Sequence, residues 1–252
     1  LAPAASAQRS IDEVLRQVEN ASRELEAQRQ LTAAQKQDAA TGKYMANPTV
    51  EMEKMWGAAG GGQNTELAVV QTIDFPTVYG SRNRIAKLKG SLYEKQWESQ
   101  RQQLLLQAKQ LCIEIVYLYR QRDLLDERLS NAERLSEAYR RKMETGDATS
   151  LEANKIAVES ISARTAADLN RAELQAKIQQ LNTMTGDSDD SFEDVTYPPV
   201  ETLPSADVLS EAYMSGNPLL ESMENTLEID RRTVALNRGL SLPQFEIGYR
   251  HD

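Results

Sequence analysis

The chain has 252 residues and a formal net charge of −9, and only 6% of its residues are aromatic. This acidic balance argues against a nucleic-acid partner, because no basic patch is present to release phosphate counterions. A single histidine, His251, and a single cysteine, Cys112, leave no pair with metal-ligand spacing and no disulfide within the chain. The sequence therefore predicts no catalytic, cofactor-binding or metal site, and it does not predict an enzyme.

The first residues resemble the end of a secretory signal. Leu1–Ala7 ends in a small-x-small pattern that signal peptidase favours, so we interpret residues 1–7 as the remnant of a secretory signal. A flexible Ala-rich terminus is the alternative. Residues 8–46 then hold a first helical stretch, with Ser10 as its N-cap and Gly42 closing its C-terminal end. No later segment is long and apolar enough to predict a transmembrane helix.

Residues 47–76 change to strand periodicity. After Asn47-Pro48, apolar and charged residues alternate over Thr49–Trp56, and a second run, Leu67–Phe75, stops at Pro76. A Gly-rich segment, 58–66, joins the two runs. The pattern predicts a β-hairpin whose strands have the length of tilted transmembrane strands.

Residues 77–186 predict a long helical hairpin. From Val78 to Glu144 a helix of roughly 100 Å is expected at 1.5 Å per residue. Its predicted heptad seam is Trp97, Leu104, Leu111, Leu118, Leu125, Ala132 and Tyr139, with Ala108, Ile115 and Leu129 at the intermediate positions and Arg122 as a polar exception. Such a repeat predicts a left-handed coiled coil. The chain reverses at the tip, 145–150, where Gly146 suits the end of one helix and Thr149 or Ser150 caps the next.

The returning helix runs to about Met184, with its apolar positions expected at Leu151, Val158, Ile161, Leu174, Ile178 and Leu181. An acidic, Pro-containing linker follows at 187–204, and two helices are predicted at 205–241. Residues 242–252 then repeat an earlier pattern: Pro48, any residue, apolar, Glu, apolar returns from Pro243 onward. We therefore expect 205–241 to open a second structural repeat and 242–252 to begin a third strand, cut short.

This layout resembles the TolC-like outer-membrane factor family. The resemblance is carried by NPTVEME at 47–53, LAVVQTIDFP at 67–76, YRRKMETGDATSLEA at 139–153 and LPQFEIGY at 242–249. It covers the N-terminal repeat and the start of the second. The fold class that it implies is mainly α: a long antiparallel coiled-coil hairpin, with a β-hairpin that contributes to a trimeric transmembrane β-barrel.

The family resemblance also implies a function and partners. The chain is expected to be part of the exit duct of a tripartite efflux pump, a homotrimer in outer-membrane lipid with a periplasmic helical domain. The resemblance implies a passive duct. Its helical tips are expected to dock on a periplasmic adaptor (membrane fusion) protein, which links it indirectly to an inner-membrane pump. The adaptor-contacting tip is expected at Gly146, Asp147, Ala148, Thr149, Ser150 and Leu151. If Val50 and Met52 face lipid, Glu51 and Glu53 face the barrel lumen.

A second function stays open at this point. A soluble periplasmic coiled-coil scaffold, or an adaptor protein, also uses a long helical hairpin. An adaptor is expected to flank the hairpin with compact β domains rich in Gly and Val, which the sequence lacks. A cytoplasmic scaffold would need neither the amphipathic strand pair nor a secretory signal.

Overall fold

The computed structural model describes residues 10–56, 63–186, 192, 197–198 and 202–251. The expected signal remnant, the centre of the Gly-rich segment and most of the acidic linker lie outside these residues. The elements in chain order are α1 (Ile11–Ala21), α2 (Arg23–Thr41), β1 (Thr49–Trp56), β2 (Gln63–Ile73), α3 (Pro76–Thr145), α4 (Ser150–Thr185), α5 (Ala206–Gly216), α6 (Pro218–Leu240) and β3 (Phe245–His251). The mainly α fold with a long helical hairpin and an antiparallel β-hairpin is confirmed.

The chain forms two compact units, which we describe separately. The first contains Leu1–Glu26 and Arg101–Leu203; the second contains Ala27–Gln100 and Pro204–Asp252. The 70-residue helix α3 contributes to both.

In the first unit, α3 provides the central strip of the core. Leu104, Ala108, Leu111, Ile115 and Leu118 are all buried, at alternating spacings of four and three residues. This spacing is the coiled-coil repeat that the heptad predicted. A second buried strip on α3, Cys112, Val116 and Tyr119, joins the same core as Ile11, Val14 and Val18 of α1, Leu25 of α2, Leu174 and Leu181 of α4, and Phe192.

The seam of α4 differs from the sequence-based expectation. Leu151 is 78% exposed, and Val158 and Ile161 are each 66% exposed, so these three residues do not face α3. Small side chains lie in the seam instead, and Ala163 and Ala167 are each 1% exposed. Small residues let two helices approach closely, which leaves the larger side chains on the outer surface.

The first helical stretch is two helices rather than one. Ser22 has an extended backbone (φ −65°, ψ 117°) and separates α1 from α2. No Gly or Pro marks this break. It lies beside the end of α4, where a Cβ added to Gly186 would come within 3.3 Å of the Ala21 carbonyl oxygen. Gly42 does follow the last residue of α2, but it is not among the described glycines with positive φ, so it does not form the expected left-handed cap.

In the second unit, the strands form one antiparallel sheet in the order β1-β2-β3. β1 pairs with β2 from Thr49↔Val70 to Trp56↔Gln63, and β2 pairs with β3 from Leu67↔His251 to Ile73↔Phe245. β3 covers the second edge of β2.

The helices of the second unit pack along the first part of α3. Lys36 of α2 forms an ion pair with Glu94 at 3.2 Å, and Lys95 forms one with Glu221 of α6 at 3.0 Å. Near the other end of α6, a Cβ at Gly239 would lie 3.2 Å from a methyl group of buried Val78, so a small residue is needed there. None of the helices that the structure describes is long and apolar enough to cross a membrane.

Candidate functional site

One face of the sheet is apolar and exposed. Directly paired residues of antiparallel strands share a face, so the register assigns every side chain to one side or the other. Six large residues collect on the first face, each between 38% and 71% exposed: Val50, Met52, Leu67, Val69, Ile247 and Tyr249. Phe245, 52% exposed, lies on the same face. In the described part of the chain, nothing buries this surface.

The opposite face is charged. It carries Glu51, Glu53, Glu66, Glu246 and Arg250. Arg250 Nε lies 2.5 Å from Glu66 Oε1, which offsets the repulsion between Glu66 and the directly paired Glu53. Glu51 and Glu53 are both exposed and lie on the side opposite Val50 and Met52. The alternation is broken near the loop, where Lys54 falls on the apolar face and Met55 on the charged one.

An aspartate fixes the point where the sheet meets the helices. Asp74 Oδ2 accepts a hydrogen bond from Arg82 Nη1 of α3 at 2.7 Å, and its Oδ1 accepts one from Gln244 Nε2, just before β3, also at 2.7 Å. The Asp74 backbone N–H donates to the Tyr79 hydroxyl at 2.9 Å. One side chain thus links the end of β2, the first turns of α3 and the start of β3. Sequence reasoning did not single out Asp74; its only signal is a lone acid between an apolar strand and Pro76.

The predicted tip residues do form the turn between α3 and α4. Gly146 has φ +81°, a left-handed conformation that glycine adopts at little cost, and the Asp147 N–H donates to the Lys142 carbonyl at 2.7 Å. Of the two candidate caps, Thr149 is the one used. Its Oγ1 accepts from the Glu152 N–H at 3.3 Å, and the Glu152 carboxylate accepts from the Thr149 N–H at 2.9 Å.

The tip presents both polar and apolar groups to solvent. The Thr149 backbone N–H, and then its hydroxyl, hold the pKa of Glu152 below its usual range, so this carboxylate stays charged at neutral pH. The Thr145 hydroxyl donates to Asp147 Oδ2 at 2.7 Å, which orders the turn. Leu151 and Met143, 78% and 41% exposed, flank these polar groups. The turn thus presents apolar side chains beside charged groups at its surface.

Sequence reasoning also missed Asn170, which is 4% exposed inside the α3–α4 seam. Its Nδ2 donates to Gln121 Oε1 at 2.9 Å. The spacing of the α4 sequence could have identified Asn170 as a seam residue. Asn170 lies between Ala167 and Leu174 at the same alternating spacing as the rest of the seam.

Comparison with known proteins shows which solved structures share the fold of this chain. No protein-family model and no curated protein matches the sequence. Solved structures do match. The CmeC outer membrane channel of Campylobacter jejuni superposes with a TM-score of 0.75 at 14% identity, over 96% of this chain and 56% of that one. The outer-membrane channel OprN gives 0.73 at 10% identity, over 96% and 59% of the two chains.

The outer membrane protein VceC of Vibrio cholerae gives a TM-score of 0.70 at 12% identity, over 96% of this chain and 62% of that one. Identities this low establish likeness of fold. The chain spans between 56% and 62% of the length of these three structures. The chain therefore has the TolC-like fold of the outer-membrane factor channels, over somewhat more than half of such a channel's length.

Proposed function

We propose that the chain forms part of an outer-membrane exit duct of a tripartite efflux pump, with its sheet in the membrane and its helices in the periplasm. The observation that carries the proposal is the sheet: one face is apolar and exposed, and the other is charged. A closed barrel of such strands turns its apolar side chains to lipid and its polar ones to a water-filled lumen. Residues 47–76 and 242–252 would then supply barrel strands, with Glu51 and Glu53 in the lumen.

A closed duct needs more strands than the three that the structure describes. Within the described residues, the outer edges of β1 and β3 have no strand partner. Strand edges inside a bilayer must be paired, because no water is present to satisfy the backbone. A homotrimer closed around a common axis satisfies this requirement. We propose that the duct is passive and that the pump supplies the energy for transport.

A soluble scaffold accounts less well for the sheet. Contiguous exposed apolar surface is rare on soluble monomers and marks an interface with protein or membrane. The apolar face of β1, β2 and β3 therefore favours the duct.

Conductance of the full-length protein in planar bilayers tests the duct. We expect stable conductance that favours cations, because carboxylates outnumber cations on the charged face. Replacing both Glu51→Gln and Glu53→Gln should reduce the cation preference, while Met52→Leu on the apolar face should leave it unchanged. The duct is contradicted if no conductance appears. The lumen assignment is contradicted if the double variant behaves like Met52→Leu.

The tip is the surface that we propose for docking on a periplasmic adaptor, which links the duct to an inner-membrane pump. Gly146, Asp147, Ala148, Thr149, Ser150 and Leu151 form one ordered turn with exposed polar and apolar groups. A photo-crosslinker at position 148 of the full-length protein in cells should yield an adduct with an adaptor. The same group at Gln102, exposed on α3 far from the turn in sequence, should not. Absence of any adduct at position 148 rules out this docking site.

A further inference from the structure

The apolar face of the sheet does not by itself decide how β3 pairs with β2. Sliding β3 by one residue would turn its side chains to the opposite face, but sliding it by two keeps each side chain on its own face. In the observed register Val69 lies opposite Tyr249, and Leu67 lies opposite His251. In the register that we call shifted, β3 slides by two residues and Val69 lies opposite Ile247. Leu67 then lies opposite Tyr249, so the shifted register is at least as apolar as the observed one.

The ion pair on the charged face does not favour the observed register either. Arg250 lies opposite Ala68, and its Nε reaches Glu66 Oε1 diagonally at 2.5 Å. In the shifted register Arg250 would lie directly opposite Glu66, where opposite charges stabilise a strand pair. The observed register therefore needs another determinant.

Asp74 and Gln244 distinguish the two registers. Ile73↔Phe245 is the last pair of the β2–β3 ladder, so Asp74 and Gln244 are the next residues opposite each other. Gln244 Nε2 donates a hydrogen bond to Asp74 Oδ1 at 2.7 Å. In the shifted register Asp74 would lie opposite Leu242, whose side chain has no donor. The hydrogen bond between the two side chains thus belongs to the observed register.

The Asp74 carboxylate is held in place from the side of the helices. Its side chain is 13% exposed, and its Oδ2 accepts a hydrogen bond from Arg82 Nη1 at 2.7 Å. The Asp74 backbone N–H donates to the Tyr79 hydroxyl, which ties the same residue to α3 a second time. A carboxylate this far buried is costly unless its oxygens have donors. Sliding β3 by two residues in the other direction would place Glu246 opposite it, and two carboxylates repel each other.

We propose that Asp74 is a positioning residue, whose carboxylate, anchored by Arg82, sets the register of β3 on β2 through Gln244. The register fixes how far along the sheet Arg250 lies from Glu66. That these two charges lie in a lumen rests on the proposed function; the register does not.

Disulfide cross-linking of the full-length protein, purified in detergent and freed of other cysteines, reads the register directly. The pair Val69→Cys with Tyr249→Cys reports the observed register, and Val69→Cys with Ile247→Cys reports the shifted one. Directly opposite residues are close enough for a disulfide, whereas diagonal neighbours are about 7–8 Å apart and are not. The first pair should therefore form a disulfide at least about tenfold faster than the second.

Replacing Gln244 removes the donor without disturbing a buried residue, because Gln244 is exposed. Gln244→Leu should raise the rate of the second cysteine pair relative to the first by about tenfold, since a hydrogen bond to a charged group is lost. Gln244→Lys keeps a donor and should retain the original ratio. Gln71→Leu is the matched control: Gln71 Nε2 donates to the Ala46 carbonyl at 2.8 Å, at the same end of β2 but on the side of β1. It should leave the ratio unchanged.

Arg82→Met gives a second test if Gln244→Leu does not fold. It removes the ion pair that anchors the Asp74 carboxylate and should change the ratio in the same direction as Gln244→Leu. The proposal is overturned if neither variant changes the ratio, or if Gln244→Lys or Gln71→Leu changes it as much as Gln244→Leu does. Because cross-linking does not report on transport, the expected pattern in a protein without conductance contradicts only the proposed duct.

Discussion

Replacing Ala167 with leucine tests which face of α4 lies against α3. Ala167 is 1% exposed in the seam, whereas Leu169, two residues later, is 66% exposed. A leucine at position 167 has no space between the helices, so the pair must separate or adopt strained rotamers. Ala172→Leu is the matched control, since Ala172 is exposed on the same helix.

Adding methylene groups to a packed core costs about 1–3 kcal/mol, and an exposed substitution changes stability by less than about 0.5 kcal/mol. With a urea dependence of about 2 kcal/mol per molar, Ala167→Leu should lower the unfolding midpoint by about 0.5–1.5 M. Urea unfolding of the chain, followed by far-UV circular dichroism, measures the midpoint. The seam assignment is refuted if Ala167→Leu is as stable as Ala172→Leu, or more stable than the unsubstituted chain.

Three further results are expected. Gly146→Ala should lower the free energy of unfolding by about 1–2 kcal/mol through its left-handed backbone alone, because an added Cβ meets nothing within 4 Å. Gly42→Ala, whose added Cβ also meets nothing but whose φ is not positive, should leave this free energy unchanged. Thermal unfolding of the two variants measures the difference. Burial raises the pKa of Cys112 from 9.0 to about 12. Above pH 9 the thiol ionises in the unfolded chain but not in the folded one, so the stability of the unsubstituted protein should fall with rising pH more than that of Cys112→Ala. Urea midpoints that fall in parallel in the unsubstituted protein and in Cys112→Ala contradict this expectation. Hydrogen bonds from Arg140 and then Arg141 lower the pKa of Glu137 from 4.5 to about 2, so its charge should persist as pH falls through 4.5. Any stability that it adds should be lost progressively as pH falls from about 4.5 to about 2, and an NMR titration midpoint near 4.5 is the contrary result.

The heptad on α3 was predictable from sequence between Leu104 and Leu118, because its apolar residues recur there without interruption. Leu104, Leu111 and Leu118 lie in the core as the repeat indicated. The strand periodicity likewise located β1 and placed Glu51 and Glu53 on the face opposite Val50 and Met52. It located β2 in part, because β2 begins at Gln63, inside the segment expected as a Gly-rich loop, and ends at Ile73. In both cases one regular pattern of side-chain type carried the information.

Other features were not predicted from the sequence, because the relevant residues are small, polar or distant from one another in the chain. On α4 the most apolar residues, such as Leu151 and Val158, are on the outer surface, and a search for hydrophobic periodicity finds them before the Ala seam. The break at Ser22 has no Gly or Pro and is visible only beside Gly186. The role of Asp74 is visible only in the folded structure, where Arg82 and Gln244 donate hydrogen bonds to its carboxylate. Pairing of β3 with β2 joins segments far apart in the chain, which local pattern does not predict.

Cysteine accessibility along β1 tests the membrane-duct account most directly. In full-length protein carrying Cys112→Ala, single cysteines at Val50, Glu51, Met52 and Glu53 are treated in intact outer membranes with a water-soluble thiol reagent that does not enter lipid. The account predicts alternation: positions 51 and 53 react through the water-filled lumen, while positions 50 and 52 are protected by lipid. Equal reaction at all four positions indicates a sheet in water, and it would contradict the duct.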